Sequence, residues 1–366
     1  MSLSEPSIDA ARLLARGQPV HSRTFVIEVF RDDADTLRAE GEILDLRKCG
    51  FVPGAGDLQT AGFIHQMKIT AWLGAEDRVL RRLAVDQPKV AYEADAETTR
   101  GECCRDPAPR LQALVGTRFD AGFAPRLREV FAGPLGCSHL LTLGQLMSGM
   151  LPMSLDREKT IAPKGLSERV DGELLFKRVL TLDGLVSGED HMDLAAQMTD
   201  YHMAPHAQIG QPFDRLARQH EIHVLARVDL SGNTVEALDA AERLRSWAGF
   251  GDESWSPVSE RVAPLVGGPA LRGFSREVFR QLGDDSEQAP LRDVLLNLGP
   301  CLIQCFAATS IRWMARLARQ RNLPKTPKEP GDGPDMTMMG GFPDSCYLWR
   351  SDGAMAKRRA APNDSN

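Results

Sequence analysis

Apolar and polar residues alternate along several stretches of the first ninety positions, the period-two signature of strands with one buried face. In His21–Phe30 (HSRTFVIEVF), Phe25, Ile27 and Val29 share a face. Leu37–Leu46 is rich in strand formers, and Phe63–Leu73 and Arg78–Val85 resume the alternation around a Gly74-Ala75-Glu76-Asp77 hairpin turn. Between them lies a turn-rich gap, Cys49–Gly62, with Gly50, Pro53, Gly54 and Gly56. After Gly101 the apolar spacing lengthens to three and four, predicting helices over Ala108–Val115, Ala124–Phe131 and Ser138–Met150. Strands are then predicted over Glu173–Val186, His191–Met203, His220–Val228 and Thr234–Leu238, and helices over Phe274–Leu282 and Leu291–Arg319.

Four strands and then helices, twice over, predict an internal repeat. A shift of 155 lays residues 23–85 over 178–240 without a gap, matching Arg23 with Arg178, Asp35 with Asp190, Asp45 with Asp200, His65 with His220, Ala71 with Ala226 and Leu83 with Leu238. The apolar positions keep their parity, which a one-residue slip would destroy because side chains alternate faces. Further on, the run from Ala124 resembles that from Ala289, which pairs Gly136-Cys137 with Gly299-Pro300-Cys301. On that pairing the second copy carries Leu302-Ile303 where the first has Ser138-His139. Asp171-Gly172 and Asp352-Gly353 each suit a tight hairpin closing a unit.

The expected fold is α+β: two tandem related units, each an antiparallel sheet of about four strands with helices on one face. The boundaries are an N-terminal arm at 1–20 with a short helix over Ala10–Arg16, a first unit at 21–172 and a second at 173–322. A polar linker at 323–335, a closing hairpin at 336–359 and a disordered tail at 360–366 follow.

Composition narrows the functional classes. Net charge is −6, only three tyrosines occur and no basic run is interleaved with aromatics, which argues against nucleic acid. The seven cysteines are odd in number, irregular in spacing and without a Cys-x-x-Cys, a pattern of free thiols in a reducing, cytoplasmic setting. The most apolar stretch, Val294–Ile311, is interrupted by Asn297, Gly299, Pro300 and Gln304 and reads as a buried helix, not a membrane span. Dinucleotide, Walker, Gly-x-Ser-x-Gly and His-Glu-x-x-His signatures are all missing.

HSRTFVIEVF, Gly41–Asp45, Ile64-His65, LQALVG from Leu111, Gly136-Cys137-Ser138-His139-Leu140 and PDSCYLWRSDG from Pro343 together resemble a bacterial family of unknown function. Its members are one such unit long, and its distinctive element is Gly-Cys-Ser/Thr-His-Leu. The resemblance implies no established activity, and points only toward catabolism of aromatic or lipid-like compounds. Here the closing Asp-Ser-Cys stands after the second copy, so Cys346 could complete either unit.

The candidate chemistry begins with Asp45 and His65 on neighbouring strands, since a carboxylate that fixes an imidazole's tautomer makes an acid/base unit. The plainer alternative is a strand-end aspartate beside a half-buried edge histidine. Cys137 and His139 should lie at a helix N-terminus, where the dipole depresses a thiol pKa and favours neutral imidazole; capping and packing are the alternative. These four are the catalytic candidates, and Asp200 and His220 are expected to contact substrate. A metal site from His65, Cys104, Cys137, His139 and Cys346 lacks zinc-type spacing, so no metal or cofactor is expected, with zinc or iron the exception to test. The expected function is a cofactor-independent acid/base enzyme, a lyase or secondarily a hydrolase, acting on an aromatic or other apolar small molecule. The alternatives are a non-catalytic small-molecule-binding or accessory protein and a metal-dependent hydrolase. No nucleic-acid or membrane partner is expected; homodimerisation is left open.

Overall fold

The computed structural model describes residues 15–310 and 343–360, apart from 51, 55–56, 98, 207–209, 211 and 247–253. The helix expected at 10–16 falls largely outside these residues, as do the linker at 323–335 and nearly all of the tail. In chain order the strands are β1 (Gln18–Arg31), β2 (Thr36–Arg47), β3 (Val52–Gly54), β4 (Asp57–Gln59), β5 (Gly62–Gly74), β6 (Leu80–Lys89), β7 (Leu174–Val186), β8 (His191–Met203), β9 (Leu216–Asp229), β10 (Thr234–Ser246) and β11 (Ser256–Pro257). The helices are α1 (Phe123–Phe131), α2 (Ser138–Ile161), α3 (Ser259–Val262), α4 (Phe274–Leu282) and α5 (Ala289–Ala308).

The fold is α+β, but the expected pair of four-stranded sheets is corrected. One nine-stranded sheet runs β11-β10-β9-β8-β7-β1-β2-β5-β6, all its pairings antiparallel. The reason is the pairing of β1 with β7: each opens a four-stranded meander, and by bonding to each other they remove two exposed edges. The turn-rich gap after Cys49 holds the small β3–β4 ribbon.

The register obeys the 155-residue shift except at the bulges after Asp45 and Gln66. Arg23 faces Asp45 and Asp45 faces His65; Arg178 faces Asp200 and Asp200 faces His220. Ile69 faces Val85 as Val224 faces Ala240. At the junction Arg23 faces Leu182, Ile27 faces Arg178 and Phe25 faces Leu180. Those pairs are symmetric about Phe25–Leu180, as expected of an isologous contact.

The helical segments follow a shift of 151, which carries α1 onto α4 and the start of α2 at Ser138 onto the start of α5 at Ala289. Leu114-Val115-Gly116 thereby overlies Leu265-Val266-Gly267, with both glycines at positive φ. The backbone bonds Leu80 N–H to Thr117 C=O and Val235 N–H to Gly268 C=O are equivalent. The pairing of Ala124 with Ala289 is therefore overturned, because it laid a short first helix over the long second one. His139 corresponds to Pro290, not to Ile303, and Cys301 lies inside α5.

Alternation explains the layering. Phe25, Ile27, Val29, Ile43, Met67 and Ile69 of the first meander, with Leu180, Leu182, Met198, Ile222 and Val224 of the second, are buried in one core under α1, α2, α4 and α5. Ala289–Ala308 is long and apolar enough to cross a membrane, yet more than half of its apolar window is buried inside the protein. The C-terminal segment joins the first unit: Tyr347 N–H donates to Gly136 C=O at 2.7 Å, and Trp349 sits edge-on to Tyr92. Asp352-Gly353 does not close a hairpin; the turn leads into a helix over Ala354–Ala360.

Candidate functional site

The helix-facing ends of β1, β2 and β5 carry polar residues where the alternation elsewhere places apolar ones. His21 and Arg23, Asp45 and Arg47, and His65 are all buried there. The start of α2 adds Cys137 and His139 from above, and α5 adds Gln304.

Asp45, fully buried, is the hub. Arg23 grips it through Nε–Oδ1 at 2.7 Å and Nη2–Oδ2 at 2.9 Å. His21 Nε2 lies 3.1 Å from Oδ1 and His139 Nε2 3.1 Å from Oδ2. These four approaches fill the four acceptor positions of a carboxylate. His65 Nδ1 comes to 3.4 Å from Oδ2 and is left buried without a hydrogen bond. Its ring stacks on that of His139 with centroids 3.8 Å apart. Gln304 Nε2 lies 3.4 Å from His139 Nε2.

Burial opposes the Asp45 charge, but the Arg23 guanidinium and the hydrogen bonds from His139 and His21, with the nearby His65 ring adding to them, outweigh it and hold the carboxyl well below the usual range. Burial acts the other way on the imidazoles. It drives His139 down to about 3, helped by His65 and opposed by Asp45, and lowers His65 and His21 as well. At neutral pH Asp45 and the groups that touch it are one carboxylate, one guanidinium and three neutral imidazoles, with the Arg47 guanidinium nearby. His139 is held neutral chiefly by burial, not by the helix N-terminus invoked from the sequence. Cys137 is not activated: burial pushes its thiol up to about 12, overriding the helix terminus. Its Sγ packs 3.9 Å from both His139 Nδ1 and Met67 Sδ.

The structure thus brings together Asp45, His65, Cys137 and His139. Asp200 and His220 lie elsewhere, with β7 and β1 between β8 and β2. Asp200 is fully buried against Arg178, whose Nε and Nη2 reach it at 2.6 and 2.7 Å, and Arg178 Nη1 bonds Asp293 of α5 at 2.6 Å. His220 Nε2 lies 3.2 Å from Glu242. In the second unit Phe176 stands where the first has His21, and Pro290 where it has His139. An Arg-Asp-His set recurs there without the two further imidazoles.

Among the described residues, Asp45, His65 and His139 are also the set whose donor atoms could hold a metal ion, all lying within 4.8 Å of one another. The thiols of Cys104, Cys137 and Cys346 are not part of it. Sequence reasoning missed His21, Arg23, Arg47 and Gln304. The signal was present for three of them, since His21, Arg23 and Arg47 keep strand parity with Phe25 and Ile43; Gln304 reaches the site only through the packing of α5.

Residues 21–150 match the model of a family described as a protein of unknown function, DUF2889. The match runs from β1 into α2 and includes His21, Arg23, Asp45, Arg47, His65, Cys137 and His139. No curated protein and no solved structure matches the chain.

Proposed function

We propose that the chain is an enzyme with one working site, the Asp45–His65–His139 cluster, which moves a proton on an aromatic or otherwise apolar small molecule without a cofactor. A bond-cleaving lyase is the reaction class we favour, with hydrolysis second. The observation that carries the reading is His65 Nδ1, buried and unpartnered beside a carboxylate whose acceptor positions are already filled. A neutral imidazole whose proton has no fixed partner can exchange it, and the anionic Asp45 stabilises the imidazolium that forms. His139, bonded to the same carboxylate and stacked on His65, orients that ring. Cys137 packs against His139 and carries no charge of its own.

We further read the two units as copies of one ancestor. The shift shared by the strand pairings outside their bulges and the symmetric β1–β7 junction support this, and the second unit then serves as scaffold. A cytoplasmic location is proposed from the seven unpaired cysteines.

The test is solvent exchange. A panel of aromatic and aliphatic compounds incubated with the protein in D2O should include one whose C–H signal is lost, or which is cleaved, with the wild type and not with His65→Ala. The same behaviour in both proteins would sink the reading. Ligand binding that survives His65→Ala without any turnover would favour the binding-protein alternative.

The clustering of donor atoms favours a second reading, a divalent metal held by Asp45, His65 and His139. Against it, Arg23 occupies both Asp45 oxygens and sets a positive charge beside the ion's position. Elemental analysis with and without chelator separates the two.

A further inference from the structure

We propose that Arg47 anchors a carboxylate, so that the molecule handled at this site is a small organic acid with an apolar body. The inference rests on the proton-transfer cluster being where that molecule sits.

Arg23 and Arg47 are each 2% exposed and Asp45 is wholly buried. Arg23 consumes Asp45 through its Nε–Nη2 edge. Arg47, two residues along β2 from Asp45 and facing His21 across the strand pair, forms no ion pair among the described residues. Among the described residues its one hydrogen bond runs from Nη1 to the Gln59 carbonyl of β4 at 3.0 Å, and its Nε is buried with no partner. The Nε–Nη2 edge that Arg23 places on Asp45 is therefore unfilled on Arg47. A guanidinium edge fits a carboxylate by two parallel N–H···O bonds. Leaving a buried cation uncompensated is costly, and an incoming anion removes that cost.

The second unit lacks this feature. Position 47 corresponds to His202, which accepts a hydrogen bond from Arg157 Nη1 at 3.4 Å. Burial keeps that imidazole neutral, at a pKa of about 3. The uncompensated charge thus accompanies the extra imidazoles of the first unit. Tyr92 and Cys49 stand near Arg47, and the charged group beside it, Asp45, is already held by Arg23.

Calorimetric titration of the full chain with benzoate and hexanoate, and with benzamide and hexanamide, tests the proposal. At least one acid should bind the wild type, and its amide at least about tenfold more weakly. Arg47→Met should lose the acid by a similar factor, while Arg47→Lys keeps part of the affinity. Arg47→Met should remain folded and no less stable to urea, because it removes an uncompensated buried charge. Acid and amide binding alike, undiminished acid affinity in Arg47→Met, no binding of either acid, or a strongly destabilised Arg47→Met would each overturn the proposal. His65→Ala should still bind the acid. If it does, and no proton exchange is seen with any compound, the proton-transfer reading fails and the anion site stands.

Discussion

Replacing Asp45 and Asp200 by asparagine should separate structural from chemical roles, because the structure supplies its own control. Each aspartate is fully buried and each grips an arginine through two hydrogen bonds. Asp45→Asn leaves Arg23 buried and without a carboxylate, since no other ion pair reaches it among the described residues. Breaking a buried pair in this way costs about 3–5 kcal/mol. Asp200→Asn leaves Arg178 with Asp293 at 2.6 Å, so the loss should be nearer that of a single charged hydrogen bond, about 1.5–3 kcal/mol. Urea unfolding should show the first variant shifted to lower denaturant by roughly 1 M or more and the second by less. Only Asp45→Asn should abolish proton exchange. Equal losses of stability, or Asp200→Asn the worse, would refute the reasoning. The Asp45 effect should also depend on pH. A carboxyl held below its unfolded value adds stability above the unfolded pKa of about 4 and loses it as pH falls through the folded one, so wild type and variant should converge in acid.

His202, held near 3 by burial with Arg157 and Arg218 adding to the shift, takes up its proton more readily when unfolded. Stability should therefore decline as pH falls below about 6.5, by up to about 1.4 kcal/mol per pH unit for each such group, and His202→Gln should flatten that slope in urea titrations at pH 7.5, 6 and 5. With its thiol near 12, Cys137 should resist alkylation at pH 8 in the folded chain, and Cys137→Ala should keep exchange activity within about tenfold; rapid labelling read by mass spectrometry would contradict this. A Cβ at Gly184 would fall on the Cys305 sulfur, so Gly184→Ala should cost about 1–3 kcal/mol, and Cys305→Ala in the same chain should recover much of it.

Strand positions were legible because period two survives burial on one face. The patterns over His191–Met203 and Phe274–Leu282 match β8 and α4 at both ends. The strand shift of 155 was legible for the same reason. The helical correspondence was not: α1 and α5 share an Ala-Pro start, and local similarity outweighed the spacing that α4 restores. Asp45, His65 and His139 could be picked out by residue type. Their convergence on one carboxylate could not, since it needs β5 beside β2 and the start of α2 above both.

By itself the sequence determined which faces are buried, hence the strands, their parity and the repeated Arg-Asp-His spacing. Alternation is a local consequence of backbone geometry and needs no partner to be seen. Tertiary structure alone decided that the two meanders join through β1 and β7 into one sheet, that the Cys346 segment completes the first unit, and that burial outweighs the helix terminus at Cys137. It also decided that Arg23 takes Asp45 and leaves Arg47 unmatched. Each of these depends on contacts between residues far apart in the chain, and on how much water those contacts exclude, which a linear pattern does not encode.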